Sequence, residues 1–252
     1  GLPPIKDGSG RMAIGNAAFN QLEWERCRRS AHYFVFESGL VTKDEHDLAA
    51  PAKPFPKEPY LYLLLDVLCI AGRVLKIADA QYAVPPHLSQ EFLKALASSG
   101  IVLIEKSRQV MATWLCCAYI LWRGKFYQHQ LLLVQSKRED DAANLVFCKE
   151  AWQARMSFME THLPPGLKSV AWPKGGSFCQ LSFPSGSRAW GIPEGGDVIR
   201  SNTSSVIFSD EAAFQPEFGA SFTAALPSIK GGGSYIGVSS ANPGSFQEVV
   251  ES

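Results

Sequence analysis

The chain has 252 residues, 46% of them hydrophobic and 19% charged, with 24 basic and 24 acidic side chains and a formal net charge of zero. That length buries a large core, as one big α/β domain or as one domain with a small lid. The balanced charge excludes a globally basic nucleic-acid-binding protein, so any such surface is a local patch.

Six cysteines (27, 69, 116, 117, 148, 179) form no CxxC pair, and no histidine stands at zinc-like spacing from them. They are expected to be buried, reduced thiols. No signal peptide is visible, and the longest apolar stretch, Thr113–Trp122, is too short to span a bilayer. A soluble intracellular protein is the expectation.

In chain order, residues 1–10 read as an accessory start and Asn16–Ser30 as a polar helix. The Pro-rich APAKPFPKEP at Ala50–Pro59 excludes a regular helix or inner strand and acts as a connector. Tyr60–Ile70 is expected to be helical. A second helix follows Pro85-Pro86 over Leu88–Ala97, with Leu88, Phe92, Leu93 and Leu96 on one face. From Ile101 the pattern becomes alternating strand and helix. The expected strands are Ile101–Glu105, Leu131–Gln135, Phe178–Phe183, Arg188–Ile192, Ser205–Phe208 and Tyr235–Ser239. Their near-continuous Leu, Ile and Val suit central parallel strands covered on both faces. Ser136 is expected to cap one long helix over Glu139–His162, whose acidic first turn (Glu139, Asp140, Asp141) suits the helix dipole better than a metal. FPSGSR at Phe183–Arg188 reads as a hairpin turn, and Gly231–Gly233 as a flexible one.

Two runs bear on chemistry. KSRQVMATW (Lys106–Trp114) follows the strand IVLIE and leads into an apolar helix. A phosphate loop has this placement: backbone N–H groups close on phosphates, a lysine neutralises the outer ones, and a Ser or Thr binds magnesium. The common pattern GxxxxGK[ST] is not kept. Counting back from Thr113, Ala112 stands at the lysine position and Met111 at the glycine position, while Lys106 supplies the charge at the front of the loop. Read alone, the run fits a solvated basic turn at a helix start better. The buried helix after it favours a ligand at its N-terminus.

The second run, SSVIFSDEAAF (Ser204–Phe214), ends a β-branched strand in Asp210 and Glu211. An Asp there holds Mg²⁺, and the next Glu polarises the attacking water. An ordinary acidic helix start reads the same way. VSSANPG (Val238–Gly244) ends another strand and serves either as a γ-phosphate sensor or as a plain turn. Arg108, inside the loop, and Arg200, ten residues before Asp210, are candidates for stabilising charge on the transferring phosphoryl group. A surface ion pair is the alternative for both.

Taken together, these residues resemble the ATPase domain of the large terminase subunit, the motor that packages DNA into tailed-phage procapsids. KSRQVMATW is similar to a deviant Walker A, VIFSDEAAF to a Walker B with its catalytic Glu, and VSSA to the coupling motif; FPSGSRAWGIPEGGDVIRSN is similar to the segment before Walker B. The resemblance covers roughly residues 55–246. It implies an α/β, RecA-like (ASCE) P-loop NTPase with a mainly parallel sheet, an ATPase domain over 51–252, and an N-terminal arm or small lid over 1–50. ATP and Mg²⁺ would be bound by the loop Lys106, Ser107, Arg108, Gln109, Val110, Met111, Ala112 and Thr113. Thr113 and Asp210 would serve the metal, and Glu211 would activate water. Arg108 or Arg200 would be the arginine finger, with Ser239, Ser240 and Ala241 coupling hydrolysis to movement. PFPKEPY (Pro54–Tyr60) would contribute to the adenine pocket.

Implied partners are double-stranded DNA, a portal protein, a small terminase subunit and further copies in a ring, in the host cytoplasm. The sequence stops at Ser252 without room for the family's nuclease domain, so no nuclease activity is expected. Two other readings stand beside this one: a helicase-like translocase, and a nucleotide-binding assembly module that hydrolyses negligibly.

Overall fold

Apolar residues of the strands after Ile101 divide, by the two-residue period of a β-strand, between two opposite faces. The computed structural model describes residues 5–6, 12–13, 16–44, 46–47, 49–76, 90–107, 110–148, 153–168 and 179–251. The chain opens with the short strands β1 (Ile5–Lys6) and β2 (Met12–Ala13), helix α1 (Asn16–Arg29) and a π-helical turn at Tyr33–Glu37. Strands β3 (Val41–Lys43) and β4 (Ala52–Pro54) pair antiparallel, followed by α2 (Pro59–Ala71) and α3 (Gln90–Ser99). Then come β5 (Ile101–Glu105), α4 (Ala112–Phe126), β6 (Leu131–Gln135), α5 (Glu139–Ala143) and α6 (Arg155–His162). The last part holds β7 (Gln180–Ser182), β8 (Arg188–Ile192), α7 (Asp197–Arg200), β9 (Val206–Asp210), α8 (Phe218–Lys230), β10 (Ser234–Ser239) and α9 (Ser245–Glu251).

The central sheet has six strands in the order β5-β10-β9-β6-β8-β7. Five run parallel, and β7 pairs antiparallel with β8 through the expected hairpin, where Gly186 has a φ of +79° that a β-carbon would strain. A mainly parallel sheet flanked by helices is the RecA-like arrangement expected from the sequence. Leu132, Val134, Val206, Phe208, Ile236 and Val238 face one core with the helix α4. Leu133, Ile207 and Tyr235, which alternate with them along the strands, face a second core with Phe218 and Ala225 of α8. Both faces are therefore covered, and every residue of β9 and β10 is buried.

Helix α4 is buried along nearly its whole length, from Ala112 to Lys125. Pro59 opens α2 at its first position, where its missing N–H costs nothing. The N-terminal region packs into the first core through Cys27, Phe34, Val35 and Leu40, and the Trp122 indole N–H donates to the Cys27 carbonyl at 2.7 Å. The expected division at residue 50 falls between β3 and β4. Five of the six cysteines are buried, and Cys148 is half-buried. Among the described residues, no helix is long and apolar enough to cross a membrane.

One expectation is corrected. The single helix over Glu139–His162 is two helices, and Arg138, not Ser136, stands at the first N-cap, with no side-chain cap. The reason lies in the hydrogen bonds: the carbonyls of Asn144 and Leu145 accept from the N–H groups of Arg155 and Met156, at 2.9 Å each. The second helix thus folds back onto the end of the first. Leu88 and Phe178, placed at the starts of an expected helix and strand, lie outside the described residues.

Candidate active site

Register fixes the site. Glu105 pairs with Ser239, Val238 with Asp210, and Ser209 with Gln135, so β5, β10, β9 and β6 all end along one edge of the sheet. In open parallel sheets ligands bind beyond the carboxyl ends of the strands, where the chain order breaks. The break here is plain: β5 is followed in sequence by β6, yet β9 and β10 lie between them. That insertion brings residues about a hundred positions apart into contact.

Thr113, in the first turn of α4, donates its hydroxyl to Asp210 Oδ1 at 2.8 Å, and both side chains are buried. Lys106 Nζ lies 3.2 Å from Glu211 Oε1, with the lysine almost enclosed and the carboxylate 42% exposed. Burial pushes the Asp210 carboxyl above its ordinary range; the Thr113 hydroxyl and then the Arg155 charge oppose this, and Lys106 opposes it further. Such a group gains from a bound cation, which replaces lost hydration. Thr113 and Asp210 fit magnesium: the ion typically takes one or two protein oxygens and completes its shell from phosphates and water. No group of three or more His, Cys, Asp or Glu that would make an all-protein cage occurs among the described residues.

Glu211 has the left-handed conformation, φ +51° and ψ +43°. A non-glycine residue held there is strained, and such strain concentrates at functional sites. The turn after it, Ala212–Phe214, is clamped to the tip of β10. Ser239 Oγ accepts from the Ala213 N–H at 3.0 Å, and Asn242 Nδ2 donates to the Ala213 carbonyl at 2.9 Å. The Ser239 carbonyl accepts the Lys106 N–H at 2.9 Å. One residue of the VSSA run therefore touches both the start of the loop and the turn behind the acid pair. Gln215 adds a bond to Ser209 Oγ at 3.0 Å and one to the Asp210 carbonyl at 2.8 Å.

Asp210 and Glu211 open onto a cavity of about 720 Å³. Its lining also includes Lys43 of β3, Trp114 of α4, Lys137 and Arg155. Among these, the sequence reading singled out none as a site residue. Lys43 and Arg155 carry no motif around them; the one available signal for Arg155 was its place in a helical stretch beginning after a strand of the βα series.

The remaining expected residues divide. Val110 and Met111 are half-buried, and Met111 packs on the core with φ −66°, so this position makes no demand for glycine. Ala112 is buried and Ser107 is exposed. Arg108 and Gln109 lie outside the described residues. Arg200 does not reach the cavity. It pairs with Asp197 at 2.9 Å, and it lines a separate depression with Thr203 and Thr223. Ser240 is half-buried and Ala241 exposed, in a groove beside Glu105. Of the Pro54–Tyr60 segment, Phe55 is in the core and none lines the cavity.

No family model matches this sequence, and no curated protein matches it. Solved structures similar to it include the large terminase of bacteriophage HK97, at 13% identity and a TM-score of 0.46, covering 73% of this chain and 40% of that one. A large terminase from a thermophilic bacteriophage, in complex with ADP, aligns at 14% identity and TM-score 0.47 over 74% of this chain and 39% of its own. The ATPase domain of the Thermus phage P74-26 large terminase aligns at 13% identity and TM-score 0.44 over 64% and 72%. The chain spans about two fifths of the length of the first two.

Proposed function

We propose that this chain is an ATP-hydrolysing motor domain of the large-terminase kind, acting on double-stranded DNA at a procapsid in the host cytoplasm. The observation that carries the reading is the pairing of Thr113 with Asp210 beside the pairing of Lys106 with Glu211, at the carboxyl edge of one parallel sheet. Lys106 turns from Glu211 to the outer phosphates of ATP when the triphosphate enters, because a phosphate offers more charge than a half-exposed carboxylate. Glu211, so released, accepts the proton of the attacking water. Thr113 and Asp210 would hold magnesium, which would supply positive charge against the phosphates. Ser239 and Asn242, bonded to the turn behind Glu211, pass a change at the acid pair to β10 and the segment after it.

Arg200 lies outside the cavity, which suits a finger given to a neighbouring copy in a ring assembled with a portal protein and a small subunit. The Lys106–Glu211 contact also favours a second reading, a nucleotide-binding assembly module whose base stays paired. Steady-state ATP hydrolysis by wild type and Glu211→Ala over a protein-concentration series separates them. Turnover per chain that rises with concentration and is lost in the variant is the expected result. Flat turnover that needs Glu211 would mean a self-contained site. No turnover at any concentration, with DNA and the procapsid partners present, would leave the assembly module.

A further inference from the structure

We propose that Arg155 contacts the terminal phosphate from within the same chain and makes the site prefer a nucleoside triphosphate to a diphosphate. This rests on the nucleotide-site reading above. Arg155 is the first residue of α6, and its Nε is buried without a hydrogen-bond partner. Among the described residues no carboxylate pairs with it; its guanidinium stands over the Trp114 ring, 5.6 Å from the centroid. A buried donor left unpaired costs about 1–3 kcal/mol, so the arrangement is stable in proportion to what else holds it, and it is completed by an anion. The neighbouring acids face the same cavity, and Trp114 directly follows Thr113, the residue expected at the metal.

The arginine is also held in place. Met156 and Arg155 bond through their N–H groups to the end of α5. Phe158 meets the Trp114 ring edge-on at 6.3 Å, and Glu160 pairs with Lys125 of α4 at 2.7 Å in full burial. Helix α6 is thereby fixed to the helix that begins at the phosphate loop. A guanidinium so positioned donates two parallel hydrogen bonds to phosphate oxygens without ordering a loose side chain. The contact is electrostatic: no proton and no covalent bond changes hands. Arg200 has an acid partner outside the cavity, whereas among the described residues none pairs with Arg155, which lines the cavity with the acid pair.

The test is displacement of a fluorescent ADP analogue by ADP and by the non-hydrolysable triphosphate AMP-PNP, both with Mg²⁺. Wild type, Arg155→Ala, Arg155→Gln and Arg155→Lys are compared, with Lys106→Ala as reference. Arg155→Gln keeps a flat polar group over Trp114 and decides the matter if Arg155→Ala does not fold. Loss of two charge-assisted bonds predicts about 10- to 100-fold weaker AMP-PNP binding in Arg155→Gln, ADP affinity within about two-fold, and partial recovery in Arg155→Lys. Equal weakening of both nucleotides, or none, would overturn the proposal and leave Arg155 as packing for Trp114. If Lys106→Ala weakens AMP-PNP while Arg155→Gln does not, this inference alone falls. If wild type binds neither nucleotide, the nucleotide-site reading falls with it.

Discussion

The wall of the cavity that carries Asp210 and Glu211 and the wall that carries Lys43 and Arg155 are held by different means. The first is built from strand tips. Asp210 closes a fully buried strand, in register with β10 and β6, and its place follows from backbone ladders on both sides. The second wall is assembled from a short antiparallel pair and the start of an eight-residue helix, and its position depends on side chains. Chief among them is the Lys125–Glu160 pair, with side chains 0% and 3% exposed. A sheet edge locates groups through many cooperative bonds; helix α6 is placed by two backbone bonds to the end of α5, one ion pair, one aromatic contact and the buried Met156 and Met159. The acid wall should therefore resist single substitutions in its scaffold better than the part that carries Lys43 and Arg155.

Substitutions at four positions break or sharpen that contrast. The largest expected effect is chemical. Glu211→Ala lowers the rate of phosphate release by about 10²–10⁴-fold, as for loss of a general base, while equilibrium binding of AMP-PNP persists. Next comes the brace of helix α6. Lys125→Met removes the cation bonded to the buried Glu160 carboxylate and costs about 3–5 kcal/mol in urea unfolding. Replacing both, Lys125→Met with Glu160→Leu, recovers most of that loss. Full recovery of stability alongside an unchanged AMP-PNP affinity would show that the brace does not position Arg155.

Lys106→Ala is smaller. It removes a charge-assisted contact worth about 1.5–3 kcal/mol, seen as a 10- to 100-fold weaker triphosphate affinity, and normal binding would refute the role given to the front lysine. The smallest effect concerns the backbone of the acid wall. Both Glu211→Ala and Glu211→Gly lose the Lys106 contact, but only glycine relaxes the left-handed conformation. Glu211→Gly should be the more stable by about 1 kcal/mol in urea unfolding.

Asp210 adds a pH dependence of known sign. Its folded-state pKa stands above the ordinary carboxylate value because burial disfavours the charge. The folded protein therefore holds this proton more tightly than the unfolded chain does. The contribution to stability is full below the unfolded pKa and is lost as pH rises through the folded one. Without nucleotide, the stability difference between Asp210→Asn and wild type should grow in favour of the variant as pH rises across that window. A difference that is flat with pH would mean that the carboxyl is not desolvated.

Much of the acid wall was legible. The strands containing Ile101–Glu105 and Leu131–Gln135 stand where their apolar runs placed them, because a strand buried on both faces leaves an unbroken signal. Lys106 with Glu211, and Thr113 with Asp210, were each read from a loop or a strand end, and the fold brings each pair into contact. The long helix over Glu139–His162 was misread because nothing in NLVFCKEAWQAR breaks a helix. What ended it was a set of backbone bonds to Arg155 and Met156, a tertiary matter. Lys43 and Arg155 were missed for a related reason: a lone basic residue at a hairpin or helix start has the same local pattern whether it faces solvent or a cavity.

The sequence by itself determined the alternation of strands and helices, the burial of α4 and the residue types at the ends of β5 and β9. Those properties are local, set by side-chain period and by the residue that follows each apolar run. Only the tertiary structure decided that β10 and β9 lie between β5 and β6, that Glu211 is held in a left-handed turn, and that Arg155 stands over Trp114 at the cavity the acids line. Each of these depends on contacts between distant positions, whose free energy is set by packing and has no counterpart in the order of neighbouring residues.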